Sequence, residues 1–92
     1  MIEIHKQVLE ITDIQLLMLK TTDVILKIGE QKGKISVWYR NDLNIQLMPQ
    51  RRTFYIVGTG HDMSHCHKQG IMFVDTVIMS NGLVWHVYAE ER

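Results

Sequence analysis

Four side chains that can bind metals or move protons, His61, His65, Cys66 and His67, fall within seven residues of one another. Neutral imidazole and thiolate are the usual zinc ligands, and a thiol beside a base is the minimum for nucleophilic catalysis. A structural zinc site draws its ligands from two separate knuckles. Here Asp62 is the other nearby donor, and the chain has no second Cys/His pair. Adjacency in sequence does not give Cys66 and His61 or His67 the geometry of a dyad. Ser64 and Ser80 have no better support, and no paired-carboxylate spacing stands out. The expectation is no metal, no cofactor, no catalytic residue and no enzymatic activity.

The turn Gly58-Thr59-Gly60-His61 begins like a dinucleotide fingerprint, which requires a third glycine and a following helix. Met63 occupies the third position and no helical pattern follows. What is left is a tight β turn, whose glycines relieve strain and whose backbone N–H groups could hold an anion.

Aromatic and basic residues give a further candidate set. Trp38, Arg40, Arg51, Arg52, Trp85, His86 and Tyr88 sit on predicted strands. Trp, Tyr and Arg are the residue types that anchor protein interfaces. With Gly58, Thr59, Gly60 and His61 they make the candidate ligand- or partner-binding residues. In one arrangement Arg40, Arg51 and Arg52 meet phosphates while Trp38, Trp85 or Tyr88 stacks on a base. In the other, the same residues form a surface for protein association.

The elements that must position these residues are strands. Residues 2–9 alternate loosely, and 23–29 and 35–40 alternate around a polar turn containing Gly33, making a hairpin over 24–40. Asn41-Asp42 marks a turn, and Pro49 keeps its neighbourhood at a loop or edge. Residues 52–58 are a rich β run, 63–70 read as an exposed polar loop, and 71–79 and 83–88 form a second hairpin around Ser80-Asn81-Gly82. Residues 12–20 fit two states. Thr12 and Gln15 have capping-box spacing for a short helix, whereas Gln15–Leu19 is an acceptable buried strand. The fold expected is all-β or mainly β, with six or seven short antiparallel strands. It would be a hairpin-rich curled sheet or a small sandwich, with at most one short helix near 12–20. On 83–88, Leu83, Trp85 and Val87 share one face, and Val84, His86 and Tyr88 the other. A sheet apolar on both sides must be covered on both. A folded-over sheet or a second copy of the chain would do this.

A length of 92 residues makes one domain, 1–92, of the size that gains from self-association. Ten Lys plus Arg balance ten Asp plus Glu, so the basic excess of a general nucleic-acid binder is missing. One cysteine cannot form an internal disulfide, which suits a reducing compartment. No apolar run is long enough to span a membrane, and Met1–Lys6 does not begin a secretory signal. These features suggest a complete cytoplasmic chain with no membrane contact.

The run Arg52–His61 and the ending Leu83-Val84-Trp85-His86-Val87-Tyr88 resemble a group of small phage and prophage proteins classed as a domain of unknown function. Ile11-Thr12-Asp13, Val24-Ile25-Leu26, Trp38 and Asp75-Thr76-Val77 fit in the same order, so the likeness covers nearly the whole chain. The sequence departs from the pattern at 62–70, which weakens a metal role for His65, Cys66 and His67. The resemblance favours a strand at 14–19 and implies no activity. It does imply a class of protein that acts by binding in the host cytoplasm. The expected function is a homo-oligomeric phage accessory protein that binds a host protein, as a counter-defence inhibitor of an immune effector does. The alternative is a sponge that sequesters a cyclic or phosphorylated nucleotide signal in an oligomer.

Overall fold

Alternation along the chain resolves into seven strands: β1 (Ile2–Leu9), β2 (Ile14–Leu19), β3 (Val24–Gln31), β4 (Lys34–Asp42), β5 (Gln50–Gly58), β6 (Ile71–Ile78) and β7 (Val84–Glu90). The computed structural model describes residues 1–91, among which there is no helix. Every pairing is antiparallel. The strands form a three-stranded sheet, β1-β4-β3, and a four-stranded sheet, β2-β5-β7-β6. The expected all-β fold is therefore a small sandwich.

Local turn chemistry sets the two hairpins. Gln31 pairs with Lys34, leaving Lys32 and Gly33 as a two-residue loop with φ of 53° and 77°. Positive φ at both centres matches the right-handed twist of the flanking strands. In the second hairpin the Met79 N–H donates to the Leu83 carbonyl, and Gly82 takes φ 88° to close the loop.

The segment that could have been helical is β2. Alternation places Leu17 and Leu19 in the core and Ile14, Leu16 and Met18 outside. Thr12 and Gln15 do meet, but as a loop clamp. The Gln15 side chain accepts from the Glu10 N–H at 2.8 Å and donates to the Glu10 carbonyl at 2.6 Å and to Thr12 Oγ1 at 3.2 Å. The turn expected at Asn41-Asp42 lies slightly later. Both residues still pair with β1, and Asp42 then accepts from the Asn44 and Ile45 N–H groups. Lys20 Nζ donates to the carbonyls of Asp42 and Ile45, holding the crossover to β5 against the end of β2.

The core is the dry space between the sheets. Leu9, Ile28, Ile35, Val37 and Tyr39 come from one side, and Leu17, Leu19, Phe54, Ile56, Val77, Val87 and Ala89 from the other. The molecule's least extent, 15 Å, is that of two packed layers. A polar tie joins the layers at the rim, where the Glu30 carboxylate accepts from both the Ser80 hydroxyl and the Ser80 N–H. These bonds favour the ionised form and hold Glu30 below the ordinary glutamate value of 4.5.

The apolar outer side of the last strands is covered by the chain itself only over β5 and β7, and Phe73 and Ile78 of β6 stay exposed. Residues 59–70 fold over Val57 and Tyr88, and Cys66 becomes one of the most buried residues. The loop expected to be exposed at 63–70 is thus partly a packed element. Its polar residues face out while Cys66 points in and donates to the Met63 carbonyl at 3.4 Å.

Phe54 is fully buried at the centre of β5. Phe54→Ala should cost about 3–5 kcal/mol in chemical denaturation, the range for deleting a core aromatic. The Glu30 tie predicts a pH effect of defined sign. A depressed carboxylate stabilises fully above its unfolded value and loses that contribution as pH falls through the folded value. The melting-temperature gap between the wild type and Glu30→Gln should be widest near neutrality and close below about pH 4, within the usual carboxylate range.

Candidate functional site

The Gly-Thr-Gly-His turn and the Trp-His ending are far apart in sequence and adjacent in space. Gly58 pairs with Trp85, and Val57 with His86, so the Gly-Thr-Gly-His turn closes over the start of β7. Each residue of the turn has a physical role. Gly58 has no Cβ because the His61 ring lies on it. A methyl there would stand 2.7 Å from His61 Nδ1 and 3.1 Å from Trp85 Cζ3. Thr59 presents its hydroxyl to His86 Nε2 at 2.8 Å. Gly60 takes φ 82°, a conformation side chains disfavour, and this lets the His61 N–H donate back to the Gly58 carbonyl at 3.0 Å.

His86 is held from both ends. Its Nδ1 lies 2.8 Å from Thr76 Oγ1 on β6, opposite the Thr59 contact. Neutral imidazole offers one donor and one acceptor, and a threonine hydroxyl can serve as either. The arrangement has the outline of a hydroxyl–histidine–third-group triad. The third group, however, is a hydroxyl where a carboxylate would be needed to stabilise imidazolium. The geometry fixes His86 in place between two hydroxyls.

Two pockets flank the turn. On one side Val57, Thr59, His61, Met63, His86 and Tyr88 line about 260 Å³. On the other a pocket of about 220 Å³ lies against Ile11, Thr12, Asp13, His61, His65 and Trp85. The rings of His61 and Trp85 meet edge-on, with centroids 6.3 Å apart. Trp85 Nε1 and His65 Nε2 are buried and make no hydrogen bond. Asp62 lies below its ordinary value because the Ser64 hydroxyl and N–H both donate to its carboxylate.

The histidine–cysteine cluster disperses. His61 lies against Trp85, His65 against Tyr55 at 6.1 Å, and Cys66 points into the packed loop. Burial pushes the Cys66 thiol up, away from the reactive thiolate. Among the described residues no group of three or more His, Cys, Asp or Glu side chains could hold a metal ion.

The other candidates do not join this cluster. Trp38 and Arg40 lie on the outer face of the three-stranded sheet, in the other layer. Arg51 and Arg52 are successive residues of β5 and point to opposite faces. Arg52 Nε donates to the Glu90 carbonyl at 3.0 Å, and its guanidinium stands 5.5 Å from the Phe54 ring centre. Tyr88 is on the outer face with His86 and makes an edge contact with Phe73 at 5.5 Å. The three arginines therefore do not converge on one phosphate site. Sequence reasoning missed Thr76 as the second partner of His86. The signal was the Ser80-Asn81-Gly82 turn, since equal steps outward from Asn81 bring Thr76 opposite His86.

Residues 1–92 match the family described as Domain of unknown function (DUF7352). No curated protein and no solved structure matches the chain.

The close approach at Gly58 makes a coupled prediction. Gly58→Ala should cost about 1–3 kcal/mol, as overpacking does, and shift Trp85 fluorescence as the His61 ring is displaced. In a His61→Ala background the same change should cost markedly less, which a double-mutant cycle by denaturant melts would measure.

Proposed function

The chain belongs to the DUF7352 family, and from that premise we propose that it is a non-enzymatic protein-binding domain that works by covering its exposed apolar sheet surfaces with other protein. One observation carries this reading. On β2 the outward residues Ile14, Leu16 and Met18 are each about half exposed, and Ile11 extends the stripe. The outer side of a solvated antiparallel sheet is normally polar, and contiguous apolar surface marks an interaction site. β2 is also an edge strand, so its backbone can take a further strand. A second copy is the simplest occupant, because the stripe carries no charge to oppose itself.

The resemblance to small phage and prophage proteins supports a phage accessory role in the host cytoplasm, with a host immune effector as the eventual target. The dispersal of Arg40, Arg51 and Arg52 disfavours the nucleotide sponge. Absence of catalysis is supported by the His86 arrangement and by the buried, unreactive Cys66. No helix among the described residues is long and apolar enough to cross a membrane.

Light scattering should find the wild type as a dimer or larger species at micromolar concentration. Leu16→Glu should return it to a monomer with its fold intact by circular dichroism. A wild type that stays monomeric to high concentration removes self-association from the proposal.

A further inference from the structure

The outer face of the three-stranded sheet has an order that the protein-binding proposal does not explain. Ile35, Val37 and Tyr39 of β4 point into the core, so Lys34, Ser36, Trp38, Arg40 and Asp42 point out. Register aligns their neighbours in rows across the sheet. Lys6, Trp38 and Lys27 form one row, with the tryptophan between two lysines. Ile4, Arg40 and Val24 form the next, with the arginine between two aliphatic residues. Ile2 and Asp42 follow.

On its edge strands this face is apolar and exposed, while Ser36 on the central strand is buried. Ile2 is 60% exposed, Ile4 65% and Val24 40%. Trp38 is half-buried, its ring reaching over Gly29, where an added Cβ would touch it at 3.7 Å. Lys6 reaches across β4 to donate to Gln31 on the far strand at 2.6 Å. Lys6, Lys27 and Arg40 make no ion pair among the described residues. Lys34 adds a fourth cation, and Asp42, already accepting from the Asn44 N–H, is the one carboxylate on the face. In a chain whose charges balance overall, this is a concentrated positive surface.

Resting on the protein-binding reading, we infer that this face docks an acidic protein segment with apolar side chains. The cations, with Arg40 at the centre and Lys6 and Lys27 at the flanks, steer and orient carboxylates, while Trp38, Ile2, Ile4 and Val24 accept the aliphatic groups. A second copy of the same face is disfavoured, because packing it on itself would bring Lys6, Lys27 and Arg40 against their own kind. Nucleic acid is disfavoured by the exposed isoleucines and valine, which a phosphate backbone has no use for.

The test uses the intact chain, isotopically labelled, and a twelve-residue peptide of alternating Glu and Leu. Amide shifts should cluster at Ile4, Lys6, Val24, Trp38 and Arg40. Affinity should fall about tenfold on raising salt well above physiological strength, as screening of exposed charges requires. It should fall at least as far in the variant Lys6→Glu, Lys27→Glu, Arg40→Glu. The wild-type salt series stands by itself if that variant fails to fold. No shifts, or shifts centred on another face, overturn the assignment. So does tighter binding at this face by a single-stranded oligonucleotide or by phosphatidylglycerol vesicles. If the triple variant loses self-association, the face belongs to the copy-to-copy contact and the assignment fails. Because the β2 stripe is tested separately by light scattering, a null result with the peptide leaves the protein-binding proposal to be judged on that measurement.

Discussion

Everything in this molecule depends on keeping water out of the space between its two sheets. Phe54, Ile35, Val37 and Val87 meet there with no exposed surface. Each strand is anchored by the alternate residues it sends into that space, and the direction of every other side chain follows. His86 is held by Thr59 and Thr76 because Trp85 and Val87 on either side of it are committed inward. Trp38 and Arg40 face outward because Val37 and Tyr39 do not.

Such a thin domain has little interior to spare, and its outer surfaces carry more apolar area than a solvated sheet usually does. On the four-stranded side the 59–70 segment covers the middle of the sheet and leaves β2 and the outer residues of β6 bare. On the three-stranded side only the sheet's own side chains, Trp38 and Lys6 among them, lie over it, and the charges there are mostly positive. The two exposed regions differ in electrostatics. One is neutral, and the other is positive.

The parts of the fold that could be read from sequence are those with local causes. The hairpins around Gly33 and Gly82 were legible because turn geometry and alternation agree within a few residues. β2 was ambiguous because six residues are too few for periodicity to decide, and the pairing with β5 that selects the strand lies far along the chain. The 63–70 loop looked exposed because one buried side chain, Cys66, is invisible among polar neighbours. The meeting of Gly58–His61 with Trp85-His86 needs the β5–β7 pairing, which no local signal specifies. The nucleotide arrangement was drawn from residue types, and types carry no information about face. Alternation already separated Arg51 from Arg52, but whether Arg40 shared a surface with either depended on which strand joined which sheet.

The strand order has a consequence for how the chain is made. β7 lies between β5 and β6, yet it is the last of the seven strands to be made. Until it arrives, β6 has no partner and the floor beneath Phe54 is open. β1 and β2 emerge first and go to different layers, waiting for β4 and β5. Pairings so distant in sequence are slow to form, because loop closure precedes any contact that rewards it. The hairpin of β3 and β4 can form as soon as its own strands are made, but the four-stranded sheet and the closed core must wait for β7.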